Sequence, residues 1–310
     1  MLDTDLAMGA PGSDIDDGFA LALALADPDL SVELVTTVSG NTDVDTATRL
    51  TLGLLERLGR ATVPVVRGAS QGLRGWRREP PTTLPPAPAL APEPGYAALR
   101  IIETVLSEPG ACTLVAIGPL TNVALALAIE PALAEHVQQI VVMGGVFLQQ
   151  TNRWQMPGEF NTWADPDATA IVLASGAPLR FVGLDVTLQV RLTREDAAAM
   201  ASGGSDFGRF AAECTQEWIG YVERERPGDI LGHGSCALHD PLAVAVVSRP
   251  DLVTWQEAYV QVETASSLTR GVMVADLLAG QHPPEPNCEI ATAVDAAAFL
   301  DLFLGRIREL

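Results

Sequence analysis

The chain has 310 residues, a formal net charge of −20 at pH 7 and no lysine, so all 19 cationic side chains are arginine. Such an acidic balance makes nucleic-acid polymers and anionic membranes poor partners and small molecules better ones. The missing lysine removes Schiff-base chemistry and lysine-dependent phosphate loops.

No uninterrupted apolar run reaches the ~20 residues of a membrane helix, so a soluble protein is expected. Four cysteines, Cys112, Cys214, Cys236 and Cys288, lie far apart without C-x-x-C spacing, which suits buried thiols in a reducing compartment. Asp3 and Asp5 stand where a signal peptide would carry positive charge, so the expected location is cytoplasmic. The length suits one large domain, and no internal repeat or boundary divides residues 1–310.

In chain order, residues 2–6 form a short strand, followed by an acidic loop and an Ala/Leu-rich helix over 16–26 that Asp27-Pro28 ends. Residues 32–38 read as a buried strand, 43–58 as a helix stopped by Gly59, and 63–66 as a third strand. Strand and helix alternating at this spacing predict a parallel sheet. Seven prolines between Pro80 and Pro94 make the stretch 74–94 a surface loop or lid. The alternation resumes with a helix over 96–106, a strand over 112–117, a helix over 123–129 and a strand over 140–143. A long polar loop to Asp165, a helix over 168–174 and a strand over 179–182 follow. Residues 193–225 have a helical pattern, and an apolar helix over 242–247 begins just after His239-Asp240. Strands over 259–264 and 272–276 and a terminal helix over 295–308 complete the chain. The expected fold is α/β: a single open, mainly parallel sheet flanked by helices, with additional short strands and a C-terminal helix.

Polar clusters recur at the carboxyl ends of these strands, where open parallel sheets bind ligands: Asp3 to Asp17, Asn41, Thr121-Asn122 and Glu159-Phe160-Asn161. Asp3, Asp5, Asp14, Asp16 and Asp17 crowd like charge at one strand–helix junction, and no arginine precedes Arg49. A divalent cation would balance them; a solvated acidic loop is the alternative. Each motif has another reading taken alone. Asp-x-Asp also opens phosphotransferases whose first aspartate is the nucleophile, although no lysine is present to brace a phosphoryl group. His239-Asp240 can be a cap beside a packed imidazole, and Glu159 with Asn161 a turn and a helix cap.

The segments Asp3-Thr4-Asp5 with Asp16-Asp17, Thr36 to Asn41, Pro64 to Ala69 and Leu114 to Asn122 occur in order. Val142 to Gly145, Glu159-Phe160-Asn161 with Asp165-Pro166, Val182 to Thr187 and His239-Asp240-Pro241 follow, and Val262 to Thr264 with Leu268 to Gly271 fits in the tail. In this order and over nearly the whole length, the chain resembles a nucleoside hydrolase of the inosine-uridine-preferring family. That resemblance implies a Rossmann-like fold, a small-molecule nucleoside substrate, hydrolysis of an N-glycosidic bond to ribose and free base, and a homodimer or homotetramer. It implies a Ca²⁺ held by Asp5, Asp17, the Thr121 carbonyl and Asp240, with Asp5 also the general base. All-oxygen ligation by flexible carboxylates suits Ca²⁺ better than Mg²⁺. The ribose positions implied are Asp16, Asn41, Asn152, Glu159 and Asn161, and the general acid is His239. Asp3, Asp14, Met143 and Phe160 are further possible contacts. Trp218 and Tyr221 can stack on the base, or belong to the core.

Two features depart from the family pattern. Ten residues separate Asp5 from Asp16 where three are usual, and Gly9, Pro11 and Gly12 suit a compact excursion that leaves Asp14 as a spare carboxylate. The stretch 68–96 lacks a His-Gly element and offers Trp76 and Arg77 instead, so base preference stays open, and Asn152 aligns only across a one-residue gap. A catalytically silent nucleoside or pentose binder on the same scaffold is the alternative function.

Overall fold

The computed structural model describes residues 1–149, 156–229, 232–278 and 283–310. Six short strands run parallel: β1 (Leu2–Thr4), β2 (Val35–Thr37), β3 (Val65–Arg67), β4 (Thr113–Ala116), β5 (Gln139–Met143) and β6 (Leu179–Val182). A separate antiparallel pair joins β7 (Arg191–Thr193) to β8 (Ser235–Ala237). Three later strands, β9 (Val253–Val262), β10 (Met273–Asp276) and β11 (Cys288–Val294), complete a nine-stranded sheet of order β10-β9-β11-β6-β5-β4-β1-β2-β3. β11 lies parallel to β6 and antiparallel to β9, so the sheet is mixed at that edge and parallel elsewhere.

Twelve helices connect these strands among the described residues. The first six are α1 (Asp16–Ala26), α2 (Val44–Arg57), α3 (Ala97–Ser107), α4 (Thr121–Ile129), α5 (Leu133–His136) and α6 (Phe160–Ala164). Then come α7 (Pro166–Leu173), α8 (Leu184–Thr187), α9 (Arg194–Ser202), α10 (Asp206–Glu225), α11 (His239–Ser248) and α12 (Ala296–Ile307).

Side chains of a strand alternate between faces, and that period sorts the core into two layers. Val115, Val141 and Val182 face a cluster with α1, α10, α11 and α12. Their neighbours Leu114, Ala116, Ile140, Val142 and Phe181 face the other side, under α3, α4 and α7. Residues buried on both faces of the sheet explain why the strands read as continuous apolar runs. Phe299, Phe303 and Ile307 give α12 a buried stripe, and Phe303 meets Phe19 of α1 edge-on at 5.3 Å.

Four sequence expectations change. The first strand ends at Thr4, because Asp5 has already left the pairing of Leu2 and Asp3 with β2 and β4. The helical pattern over 193–225 is two helices, since Gly203-Gly204 ends α9 and Ser205 caps α10 by accepting the Gly208 N–H at 2.9 Å. The polar loop before Asp165 contains α6. The strands β7, β8 and β11 were not anticipated. β11 is half-buried, and its register shifts between Ala291 and Ala293, so it lacks a clean alternation.

The order of connections places the site. From β1 the chain builds outward to β2 and β3, then returns to lay β4 on the other side of β1. The crevice at such a reversal is where parallel sheets take ligands, and the segment starting at Asp5 opens onto it.

Candidate active site

Asp3 is fully buried on β1 and survives there through Thr36 Oγ1 and Asn122 Nδ2, which both donate to its Oδ1. Asn122 Nδ2 also donates to the Thr37 carbonyl at 2.9 Å, and its Oδ1 accepts the Ala69 N–H, so one side chain pins the ends of β1, β2 and β3. Asp3 Oδ2 has no partner among the described residues, and burial pushes the carboxyl up to about 6.

Asp5 follows in the crevice. Its Oδ2 accepts the Asn41 N–H at 2.6 Å, whereas Oδ1 is buried with no partner. Gly40 makes this approach possible: a Cβ there would lie 1.9 Å from Asp5 Oδ2 and 2.8 Å from Pro119 Cδ. Gly40→Ala should therefore displace the carboxylate and cost about 10²-fold in kcat, because a misplacement near 1 Å has that effect, and the overpacking should lower the thermal midpoint as well. Steady-state kinetics beside a melting curve check this, and an unchanged rate would contradict it.

Helix α1 begins at Asp16 and Asp17, and α11 delivers Asp240, so two helix starts bring three buried carboxylates together. One oxygen from each of Asp16, Asp17 and Asp240 lies within 4.8 Å of the others. The Asp240 N–H donates to Asp16 Oδ2 at 3.2 Å, Thr4 Oγ1 donates to Asp17 Oδ1, and Asn41 Nδ2 donates to Asp17 Oδ2 at 3.0 Å. None of the three is in an ion pair among the described residues. Burial pushes Asp5, Asp16 and Asp240 well above the usual carboxylate range, and their neighbours' charges push further. Asp17 rises as well, through burial, although its hydrogen bonds oppose the shift. Like charges without a counter-charge, beside the orphaned Asp5 Oδ1, fit a divalent cation with oxygen ligands. The triad contains Asp16, which the sequence reading gave to ribose, while Asp5 adjoins it through Asp17.

The second polar group sits two strands over, beyond the end of β5. Glu159 caps α6, its Oε1 accepting the Asn161 N–H at 2.7 Å and its Oε2 those of Thr162 and Gly145. Burial raises its pKa. Asn161 Nδ2 donates to the Ile117 carbonyl at 2.9 Å and to Met143 O at 3.2 Å. With both Asn41 and Asn161 turning their NH₂ groups to protein acceptors, each presents its amide oxygen to a ligand. Ile117 closes the link to the first group, since its own N–H donates to the Asp3 carbonyl.

Thr121 starts α4, and its hydroxyl donates to Asp165 Oδ2 at 2.7 Å. The same Asp165 oxygen accepts the Leu73 N–H and Oδ1 accepts that of Ala168, so Asp165 ties the loop after β3 to the site. The sequence reading gave Asp165 no role, although an aspartate directly before a proline at a helix start signals a cap.

Phe160 joins Trp76 and Trp163, with ring centroids 5.5 to 6.3 Å apart. Together with Met156 and Arg77 they line a cleft of about 540 Å³. On the opposite flank Trp218 stacks on Tyr221 at 5.6 Å and belongs to the core. The lengthened loop 6–15 is packed against this helix. Leu6, Met8 and Ile15 are buried, and a Cβ on Gly12, whose φ is +70°, would meet the Tyr221 ring at 2.9 Å.

Asp14 is half-buried at the end of that loop. Its pKa rises to about 6 through burial, opposed chiefly by the hydrogen bond it accepts from the Ile15 N–H. His239 is half-buried at the start of α11, and its Nδ1 lies 2.7 Å from Thr187 Oγ1. Burial, with Arg191 adding to it, lowers the imidazole to about 4, so the free ring is neutral at pH 7. Arg191 and Thr187 escaped the sequence reading of roles because nothing in their local pattern shows that the fold turns them toward His239. Asn152 lies outside the described residues.

Comparison with known proteins matches residues 1–301 to the family described as inosine-uridine preferring nucleoside hydrolase. A pyrimidine-specific ribonucleoside hydrolase, RihA, of Klebsiella pneumoniae is 35% identical over 320 residues, covering 99% of this chain and 97% of its own. RihA of Citrobacter koseri is 34% identical over 304 residues, 94% of each. Among solved structures, a purine-preferring ribonucleoside hydrolase from Gardnerella vaginalis superposes with a TM-score of 0.88 at 31% identity, covering 99% of this chain and 97% of its own. The plant nucleoside hydrolase PpNRh1 gives 0.89 at 29% identity, covering 100% of this chain and 98% of its own.

Proposed function

The chain belongs to the inosine-uridine-preferring nucleoside hydrolase family and is an enzyme, and from that premise we propose that it cleaves the N-glycosidic bond of a ribonucleoside with water, releasing ribose and free base. The observation that carries this reading is the buried triad of Asp16, Asp17 and Asp240 beside the unpartnered Oδ1 of Asp5. We assign Asp5, Asp17, Asp240 and the Thr121 carbonyl as Ca²⁺ ligands, with Asp16 near enough to share the site. A bound Ca²⁺ there lowers the pKa of water, so that the nucleophile is available at neutral pH.

Asp5 takes the proton at Oδ1, since Oδ2 is held by the Asn41 N–H. Asn41 and Asn161 accept from ribose hydroxyls through their amide oxygens, and Asp16 and Glu159 present carboxylates beside them. A sugar that gains positive charge as its glycosidic bond breaks is stabilised by this concentration of negative potential. His239 meets the departing base from the start of α11. The phosphohydrolase alternative lacks a lysine to brace a phosphoryl group.

Relatives of similar identity carry names with opposite base preferences, pyrimidine-specific and purine-preferring, so overall likeness does not set the base. The cleft lined by Trp76, Phe160 and Trp163 is where the preference is decided. We take residues 1–310 as one catalytic domain acting as a homo-oligomer on a small-molecule substrate. Among the described residues no helix is long and apolar enough to cross a membrane.

The test is a panel of common purine and pyrimidine nucleosides in heavy-oxygen water, with product mass and reducing sugar followed. The expected result is free base and ribose labelled at its anomeric oxygen, suppressed by a chelator. Folded, Ca²⁺-replete protein that binds nucleosides without turning any over would favour the silent binder instead.

A further inference from the structure

We propose that Thr187 is a positioning residue for His239, its hydroxyl donating to Nδ1 so that the neutral ring carries its proton on Nε2 and turns that N–H into the site. The inference rests on the reading of His239 as the residue beside the leaving base.

The argument comes from hydrogen-bond satisfaction in a buried place. Thr187 is fully buried at the end of α8, and its Oγ1 lies 2.7 Å from His239 Nδ1. Helical threonines elsewhere in this chain send their hydroxyl protons back to the carbonyl four residues earlier: Thr48 to Val44, Thr51 to Ala47, Thr104 to Arg100 and Thr215 to Ala211. Thr187 does not; among the described residues its hydroxyl has His239 as its single partner. Were Nδ1 the donor, the Thr187 proton would be buried without an acceptor, which costs more than an ordinary hydrogen bond gains. The hydroxyl must donate, and Nδ1 must be the bare nitrogen. In a neutral imidazole the proton then sits on Nε2, at the far edge of the ring. Nε2 has no protein partner among the described residues, so its N–H is available to a ligand.

The fold gives this contact a rigid base. α8 starts directly after β6 at Gly183, whose carbonyl accepts the Thr187 N–H at 3.1 Å. Thr187 is thereby fixed to the strand end while His239 belongs to α11, so the contact sets the ring across two elements. A wrongly placed proton would turn a lone pair, rather than a donor, toward the base.

The experiment is heteronuclear NMR of the Ca²⁺-loaded protein with isotope-labelled histidine, His239 being assigned by the signal lost in His239→Gln. The expected spectrum shows a bare Nδ1 and a protonated Nε2. Thr187→Val should give a mixture of tautomers and lower kcat about tenfold at unchanged KM, a part of the usual worth of an acid–base group. Thr187→Ser should keep both spectrum and rate. A proton on Nδ1 in the parent protein overturns the proposal, as does a Thr187→Val protein with unchanged spectrum or unchanged kcat. The parent spectrum decides the tautomer even if the valine variant does not fold. A correct tautomer in a protein that hydrolyses no nucleoside would sink the hydrolase reading while the Thr187 contact stands.

Discussion

Asp5→Asn should lower kcat by about 10²- to 10⁴-fold, the usual contribution of a general base, while leaving the chelator-treated protein as stable as before or more so. The two effects have one origin. The Asn41 N–H at 2.6 Å fixes which oxygen must remain, so the asparagine carbonyl replaces Oδ2 and the NH₂ group replaces Oδ1. The oxygen lost is the one with no protein partner, and with it goes the ability to accept a proton. A neutral side chain also removes a charge that Asp17 and Asp240 push against, which relieves the fold. Rate and stability moving in opposite directions mark a residue kept for function against stability. If Asp5 were a structural carboxylate, both would fall. Steady-state kinetics and a melting curve on the same preparation separate the cases.

The second large effect concerns acidity without metal. Chelator-treated protein should lose stability steadily as pH rises from about 4 to 8, whereas saturating Ca²⁺ should flatten that slope. In the folded state burial raises Asp3, Asp5, Asp14, Asp16, Asp17, Glu159 and Asp240 above their ordinary values. Groups whose folded pKa is raised hold extra protons in the native state. Their stabilising contribution is complete below the unfolded pKa near 4 and is lost as pH climbs through the folded one. Asp3 alone, moved from 3.8 to about 6, corresponds to roughly 3 kcal/mol. A bound cation reverses the balance by favouring the ionised carboxylates, and it adds mass-action stabilisation of about 2.7 kcal/mol at a hundred times its Kd. Melting curves at several pH values with and without Ca²⁺ measure this, and parallel curves would contradict it.

The part of the site carried on short strand-to-helix junctions was legible in the sequence. Asp5 and Asn41 stand within a few residues of β1 and β2, whereas Asp17 and Asn161 open the helices that follow the longer loops after β1 and β5, and the reversal of strand order brings those ends together. His239-Asp240 likewise opens a helix, as its spacing predicts. What escaped were relations between distant elements. Nothing near Thr187 announces that β6 and α11 will bring it to His239, and nothing near Asp165 announces that it will hold Leu73. β11 was missed because its half-buried, bulged course gives no regular period. The lengthened loop was recognised as an excursion. Its close fit to α10 depends on Tyr221, about two hundred residues later, and only the folded chain displays it.

Calcium titration into chelator-stripped protein, with nucleoside hydrolysis followed at each addition, tests the central claim most directly. The account predicts that stripped protein is inactive and that ribose release rises in step with one bound Ca²⁺ per chain, both being lost in Asp240→Asn. Full turnover in the stripped protein, or undiminished Ca²⁺ binding and hydrolysis in Asp240→Asn, would contradict it.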